Sequence, residues 1–458
     1  MPLAQMVASR RRVLGTVTAL VLAGTAVGSG PRPSHPGPNG VTAIAALPGP
    51  SDQAPSDPPV ASRTPSASAS ASASASPPAR PGAAAPAAPT LVAMGRDAWS
   101  VILRITVPVG VADLQVLRDG RLLDDVPAPA GILTYTDYLL WPSSAYSYEV
   151  RWLSSQGASI SDQRVGVATP AAAGPFPRLY GGTSFWNSRI GPNAPIDPNS
   201  AAMIAKALVP YGPDANLANS ADWGKPLAYA NAVSRSYDIG CSKYGCDTAV
   251  SFRLPSYATP NLGSDHHLAV IDASTGGELD MWLSAPGGGT WSAGSRYTTA
   301  ANGWGAICEQ GQHCGGADAA GFALMGGVIL PEEIAQGHID HALFFTTPYT
   351  RSGYIACPAT NTDGQADDPN ALPEGARIQL DPAFNVDAQP WPRWEKVIGH
   401  ALQTYGAYLG DTGGSLALFG ETNLDRGYDA WSRTATPVGP SLAALPWPAF
   451  RVLQLQAC

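Results

Sequence analysis

Charge is scarce in this sequence: Asp, Glu, Lys and Arg together make up only 14% of its 458 residues. A coiled coil, a long-helix bundle or a highly charged disordered chain would each need more. What charge there is runs acidic, with a net −8, so the broad basic footprint that holds nucleic-acid phosphates is missing. Nor does the chain carry a Gly-x4-Gly-Lys-Ser/Thr loop, a Gly-x-Ser-x-Gly elbow, a His-Glu-x-x-His helix or a Gly-x-Gly-x-x-Gly turn. Each of these supplies a geometry that its chemistry requires, such as backbone N–H groups around a phosphate or an exposed nucleophile on a sharp turn. Nucleotide use and ordinary serine hydrolysis therefore lose their support.

In place of charge stand 49 glycines and 44 prolines, a composition that favours short strands and many turns. The stretch from Ser9-Arg-Arg-Arg12 to about Gly30 is a basic n-region followed by a mildly apolar h-region. It reads as an export signal over 1–30, and the paired arginines resemble a twin-arginine signal. Cleaved or kept as an anchor, it places the folded part outside the cytoplasm. All six cysteines (Cys241, Cys246, Cys308, Cys314, Cys357, Cys458) fall in the second half, and an even count in an exported chain points to disulfides. The expected pairs are Cys241–Cys246, Cys308–Cys314 and Cys357–Cys458. Four thiolates on zinc are the alternative.

Residues 31–89 are almost wholly Pro, Ala, Ser and Gly, too poor in apolar area to offset chain entropy, and are expected to form a disordered linker. At Trp99 the pattern changes to period two: Trp99, Val101, Leu103, Ile105 and Val107 alternate, so one face of a strand can be buried. Asp119-Gly120 supplies the positive φ angles of a tight hairpin. Tyr146-Ser-Tyr148-Glu-Val150-Arg-Trp152 alternates again, and Val165-Gly-Val167-Ala-Thr169 closes the segment. On these features residues 90–170 resemble a fibronectin type III module, with Tyr146 at the tyrosine-corner position. Such modules commonly serve as spacers in bacterial polysaccharide-degrading enzymes, which is what the resemblance implies.

The remaining 176–458 is long enough for a large core. One helix is expected from the capping sequence Asp197-Pro198-Asn199-Ser200 to about Val209. A second starts near Pro392, with apolar residues at Trp394, Val397, Ile398, Ala401, Leu402 and Tyr405, and stops at Gly406. Strands are expected at 267–272, 278–282, 339–346 and 376–380. The fold class is mainly β: a fibronectin type III-like sandwich plus a larger β-rich α+β, sandwich-like domain with a few peripheral helices.

Candidate chemistry lies in carboxylates and histidines. Asp265 and His267 precede a strand, where an acid beside an imidazole can act as a base with its orienting partner; a polar turn explains the same residues. Glu278 and Asp280 lie two apart on a strand and share a face, which would raise one pKa as a glycosidase acid needs; an exposed polar face is the plainer account. His338 and His341 would share a side if helical and could hold zinc. On a strand they diverge, leaving His341 as a lone base candidate. Asp318 and Asp411 sit in glycine-framed loops, where backbone approaches a ligand closely or simply turns. Tryptophans beside Gly or Asn offer flat platforms for sugar rings, or else fill the core.

The pieces Asp265-His-His267, Asp280-Met-Trp282, Gly316-Ala-Asp318-Ala-Ala-Gly321, Glu333-Ile-Ala-Gln-Gly-His-Ile-Asp-His341-Ala-Leu, Glu374-Gly-Ala-Arg377-Ile-Gln-Leu380 and Ala401-Leu-Gln-x-Tyr405-Gly-x4-Asp411 resemble a largely uncharacterised family of exported actinobacterial proteins. The resemblance spans nearly all of 176–458 and implies positions rather than a reaction: Asp265, His267, Asp280, Asp318, His341 and Asp411 stand where the family's polar pattern recurs.

The expected function is that of a secreted carbohydrate-active enzyme, a glycoside hydrolase in polysaccharide degradation; a polysaccharide lyase or a non-catalytic glycan- or envelope-binding protein are the alternatives. Asp280 and Asp318 would be acid and base or nucleophile, Asp265 and His267 the orienting pair, His341 and Asp411 substrate or supporting contacts. Trp282, Trp304, Trp186 and Tyr405 would bind substrate. No cofactor and no metal ligand set is expected. The expected partner is a polysaccharide or cell-envelope glycan, with no nucleic acid and no nucleotide, bound by a monomer.

Overall fold

The structure is a computed structural model and describes residues 88–244, 250–308 and 314–458. The export signal, the linker up to residue 87 and Cys246 lie outside the described residues, and the Cys241–Cys246 pairing with them.

The period-two segments build a sandwich. Strands β1 (Thr90–Asp97), β2 (Ser100–Val107), β3 (Asp113–Arg118), β4 (Arg121–Pro127), β5 (Gly131–Asp137), β6 (Ala145–Leu153) and β7 (Ser159–Ala168) form two antiparallel sheets, ordered β1-β2-β5 and β4-β3-β6-β7. The alternation at Val101, Leu103, Ile105 and Val107 places all four in the core, against Tyr135, Tyr148 and Trp152. The β3–β4 turn is made by Asp119 (φ 49°) and Gly120 (φ 84°), the two left-handed residues that a tight hairpin demands. The Trp141 N–H donates to the Tyr146 hydroxyl at 2.8 Å, which is the tyrosine corner that the sequence pattern predicts.

The larger part begins with α1 (Ser200–Ala207), β8 (Asn216–Ala218), β9 (Leu227–Ala230), β10 (Ser236–Cys241), β11 (Val250–Arg253), β12 (Leu268–Asp272) and β13 (Gly277–Trp282). It continues with β14 (Ala285–Gly287), β15 (Thr290–Ala293), β16 (Ser295–Ala300), α2 (Pro331–Gln336), β17 (Leu343–Thr347), β18 (Arg377–Leu380), α3 (Arg393–Thr404), β19 (Ala407–Thr412), β20 (Ala417–Phe419) and β21 (Phe450–Val452). A six-stranded sheet runs β21-β18-β19-β17-β20-β8; two four-stranded sheets run β16-β13-β12-β9 and β11-β10-β15-β14.

Two faces of the six-stranded sheet carry different cores. Leu343, Phe345, Leu409, Ile378 and Leu380 meet Met203 and Ile204 of α1 and Trp394, Ile398 and Leu402 of α3. On the other face Phe344 and Tyr408 pack with Trp186, Phe185 and Phe322. Beyond them, Ala269 and Ile271 of β12 meet Leu324, Met325 and Val328, and the far side of that sheet packs Val270 and Met281 on Ile239 and Trp291. The fold is therefore mainly β, with the helices at its margin, as the composition predicts.

Three local expectations change. The strand expected from Ile339 begins only at Leu343, so His338 and His341 lie in a loop. Asp411 belongs to a strand, β19, rather than to a glycine-framed loop. Asn199 caps α1 without a side-chain bond; instead the Asp197 carboxylate accepts the Asn199 N–H at 2.9 Å, and Ser200 accepts the Val452 N–H at 2.8 Å, tying the helix to β21.

Disulfides join Cys308 to Cys314 and Cys357 to Cys458. No helix among the described residues is long and apolar enough to cross a membrane. The sandwich is joined to the larger part by buried polar contacts: the Arg426 guanidinium lies 2.5 Å from both Glu332 and Glu421 and donates to the Leu139 carbonyl at 3.2 Å. Arg118, paired with Asp137 at 2.8 Å, donates to the Arg426 carbonyl. A spacer on a loose tether would not need such an arrangement.

Candidate active site

A cleft of about 830 Å³ opens over the non-helical face of the six-stranded sheet, within the size range of small-ligand sites. Its position follows from the strand pattern. Odd-numbered Leu343, Phe345 and Leu409 face the helices, so Phe344 and Thr346 face the cleft. Between β17 and β19 the pairing shifts, with Phe345 opposite Leu409 but Thr346 opposite Asp411. This bulge skips Gly410 and turns Asp411 to the cleft side. Gly410 is required there, since a Cβ would come within 2.0 Å of the Phe344 ring.

Lys225 and Asp318 form the cleft's buried ion pair. The Lys225 backbone is fixed by bonds to Gly420 and Thr422, and its Nζ lies 3.2 Å from Asp318 Oδ2 and 3.5 Å from the Phe344 ring centre. Asp318 rides on the turn Gly315-Gly316-Ala317, which needs glycine at 316 because a Cβ would meet the Asp318 carbonyl at 2.7 Å. Burial pushes Asp318 up to about 6, while Lys225 pulls it back toward the ionised form.

His267 sits beneath this turn. Its Nε2 lies 3.0 Å from the Ala317 carbonyl, which can only accept, so Nε2 carries the hydrogen and Nδ1 the lone pair. Burial, then the Lys225 charge, depresses the imidazole to about 4, and it is neutral near pH 7. Its neighbour Asp265 lines the cleft mouth. The loop carrying both is pinned by Leu283 N–H to the Asp265 carbonyl at 2.7 Å and by His267 N–H to the Asn261 side chain at 3.0 Å.

Along the far wall, Asp363 and Asp411 line the cleft, with Glu374 buried behind them. Burial raises Asp411 well above the usual carboxylate range, and the Asp318 and Asp363 charges add to it. Glu374 is raised by burial and then by Asp411 and Asp363. Aromatic residues form the rim: Trp223 is 49% exposed and Tyr244 is 65% exposed, and the Tyr244 ring lies 5.5 Å from that of Trp282.

The cleft thus gathers Asp265, His267, Asp318, Asp411 and Trp282 from the sequence-predicted set, and leaves out the rest. Asp280 is fully buried outside it. Its Oδ2 accepts the Leu324 N–H at 3.0 Å, and Glu278 accepts from the Tyr180 hydroxyl at 3.1 Å. Burial raises both carboxyls, Glu278 to about 7 and Asp280, with the Glu278 charge added, well up. The pair holds the 322–325 segment onto β13 and cannot reach a ligand in the cleft. His341 lies elsewhere, its Nε2 2.9 Å from Glu333 and its Nδ1 2.8 Å from the Ala342 carbonyl. With two acceptors facing the ring, the protonated form is favoured: burial alone would lower the imidazole, but Glu333 raises it. Trp186 is 1% exposed, its indole N–H donating to the Gly305 carbonyl, and Tyr405 is buried at the end of α3. Trp304 is partly exposed but packs on Phe185, away from the cleft. Neither Trp186 nor Tyr405 offers a face to a substrate.

Lys225, Asp363 and Glu374 were missed as candidates, whereas Trp223, beside Gly224, belongs to the tryptophans expected as platforms. Lys225 had one usable signal, a Gly-Lys-Pro step with no other Lys or Arg between Lys206 and Arg235.

No family model and no curated protein matches the chain. Among solved structures it is similar to the fibronectin(III)-like modules of Clostridium thermocellum CbhA (16% identity, 18% of this chain and 86% of that one, TM-score 0.15). It is similar too to the sixth fibronectin type III domain of human fibronectin type III domain containing protein 3 (22% identity, 21% and 96%, TM-score 0.15). A Yersinia enterocolitica family 28 exopolygalacturonase matches at 18% identity over 20% of this chain and 21% of that one, with a TM-score of 0.16, so this chain spans about a fifth of its length.

Proposed function

We propose that the protein is a carbohydrate-active enzyme that cleaves glycosidic bonds outside the cytoplasm, with the cleft as its active site and a 90–170 sandwich domain preceding a 176–458 catalytic domain. One observation carries the reading: a buried carboxylate, Asp318, stands beside a cation at the floor of a cleft whose mouth carries exposed aromatic rings. Glycoside hydrolysis needs a carboxylate on one side of the scissile bond and a proton donor on the other. Asp318, ionised above about pH 6, serves as base or nucleophile, and Asp265, which lines the same cleft, is the second carboxyl. His267 is a positioning residue, holding the Ala317-Asp318 turn through the Ala317 carbonyl. Trp223, Tyr244 and Trp282 stack on sugar faces. Asp280 and His341 have no part in this scheme.

A lyase acting on a uronate polymer is the second reading, favoured by the neutral His267 with its free Nδ1 lone pair and by the Lys225 cation nearby. In that chemistry the imidazole abstracts the proton next to a carboxylate whose charge Lys225 offsets. The test is product release by the full chain from a polysaccharide panel, followed both as reducing ends and as absorbance of unsaturated uronates. Reducing ends alone support the hydrolase, both signals together the lyase. Binding of glycan without either product leaves a binding protein.

A further inference from the structure

Asp363, Glu374 and Asp411 come from three separate stretches of chain, yet each offers a carboxylate oxygen within 4.8 Å of those of the other two. Among the described residues, no ion pair joins any of the three to a Lys, Arg or His; the nearby Lys225 is engaged by Asp318. Glu374 is fully buried, and neither of its carboxylate oxygens has a hydrogen-bond partner. A buried carboxylate without a cation beside it costs several kcal/mol, so such groups are ordinarily paired or bound to a metal. Among the described residues, the charged groups that act on Glu374 are two further acids, Asp411 and Asp363, with the Thr362 side chain beside them.

The backbone around the cluster is held firmly. Gly375 N–H donates to the Leu409 carbonyl at 2.8 Å, fastening the Glu374 turn onto β19, and Ala356 N–H donates to the Glu374 carbonyl at 2.9 Å. Gly375 has φ 84°, and a Cβ on it would fall 1.7 Å from the Ala356 oxygen. The bulge at Gly410 fixes the third donor. Three carboxylates are thus placed together by features that only repulsion between them would oppose.

We propose that Asp363, Glu374 and Asp411 bind one divalent cation, calcium in preference to magnesium, in the wall of the cleft. All three donors are carboxylate oxygens, with no imidazole or thiolate, which selects hard cations over zinc or copper. A spread of up to 4.8 Å suits an ion with oxygen bonds of about 2.3–2.6 Å better than a compact octahedral one at about 2.0–2.1 Å. Asp363 is exposed and Asp411 lines the cleft, so coordination positions remain for water or for a ligand in the cleft. This site does not depend on the glycosidase reading.

The test uses the full chain freed of metal with EDTA. Titration calorimetry with CaCl2 and thermal unfolding with and without the ion are expected to show one site per chain and a raised Tm. Asp363→Asn, at an exposed position, is expected to weaken binding about tenfold or more. Glu374→Gln is expected to abolish binding and, by replacing a buried carboxyl with a neutral side chain of the same shape, to raise the Tm of the metal-free protein above that of the wild type. No heat and no Tm shift with calcium, magnesium or manganese up to about 10 mM would overturn the proposal, as would wild-type affinity in both variants. Tighter binding of magnesium than of calcium would overturn the stated preference.

Discussion

Lys225 Nζ lies 3.2 Å from Asp318 Oδ2 with both side chains 1% exposed, and the same ammonium rests 3.5 Å from the Phe344 ring centre. Two opposite charges out of water stabilise only as a pair; removing one leaves the other uncompensated. Lys225→Met is expected to cost about 3–5 kcal/mol near pH 8. The carboxyl can escape by taking a proton, so the loss should shrink at pH 5. Urea unfolding at the two pH values checks this, and an equal loss at both would mean that the pair is not what holds the turn.

The same pair sets a pH profile. Asp318 acts when ionised, and burial lifts it to about 6 against the pull of Lys225. Turnover is therefore expected to rise with pH through about 6 as Asp318 ionises, and to fall again where the proton donor loses its proton, as read from kcat/KM of the full chain. His267, already neutral above about 4, adds no limb in that range.

At the rim, Trp282 and Tyr244 stand 5.5 Å apart, and Trp223 is half exposed. Trp282→Ala is expected to raise KM about tenfold with a smaller effect on kcat, because a stacking platform binds ground and transition states alike. Trp186→Ala should behave differently. Losing an indole that is 1% exposed costs about 3–5 kcal/mol of stability rather than affinity.

In the sandwich, Asp124 accepts from the Ser234 hydroxyl at 2.5 Å and from Ser256 and Asp125, yet burial still lifts it from 3.8 to about 6. A folded-state pKa above the unfolded one means stability that is full below about 3.8 and lost as pH rises through 6. Relative to Asp124→Asn, the wild type is expected to lose about 2 kcal/mol between pH 4 and pH 7, measured by denaturant unfolding.

How much of this was legible depended on whether a residue's environment is local. The sandwich was: alternation at 101–107, a left-handed Asp119-Gly120 and a tyrosine five residues past Trp141 are each decided by nearby backbone. The cleft was legible in part. Asp265, His267 and Asp318 stand in turns whose polar pattern is visible, but Asp411 reads as a loop residue because Gly410 precedes it and Gly413-Gly414 follow it. Only the pairing of β17 with β19 reveals that Gly410 makes a bulge. Asp280 misled because two acids on one strand face suggest water or substrate. A β-rich core with a segment packed over the sheet instead presents them with backbone N–H groups. Trp186 and Tyr405 misled for a related reason: an indole beside glycine reads alike in a rim or in a core. Lys225, Asp363 and Glu374 meet only through contacts distant in sequence.

The most direct test of the account compares the full-length wild type with Asp318→Asn on a polysaccharide panel, measuring reducing ends released and glycan bound. The account predicts product from the wild type, a loss of about 10²–10⁴-fold in the variant, and binding retained in both. Product formation by Asp318→Asn at the wild-type rate would contradict it, as would a wild type that binds glycan and releases nothing.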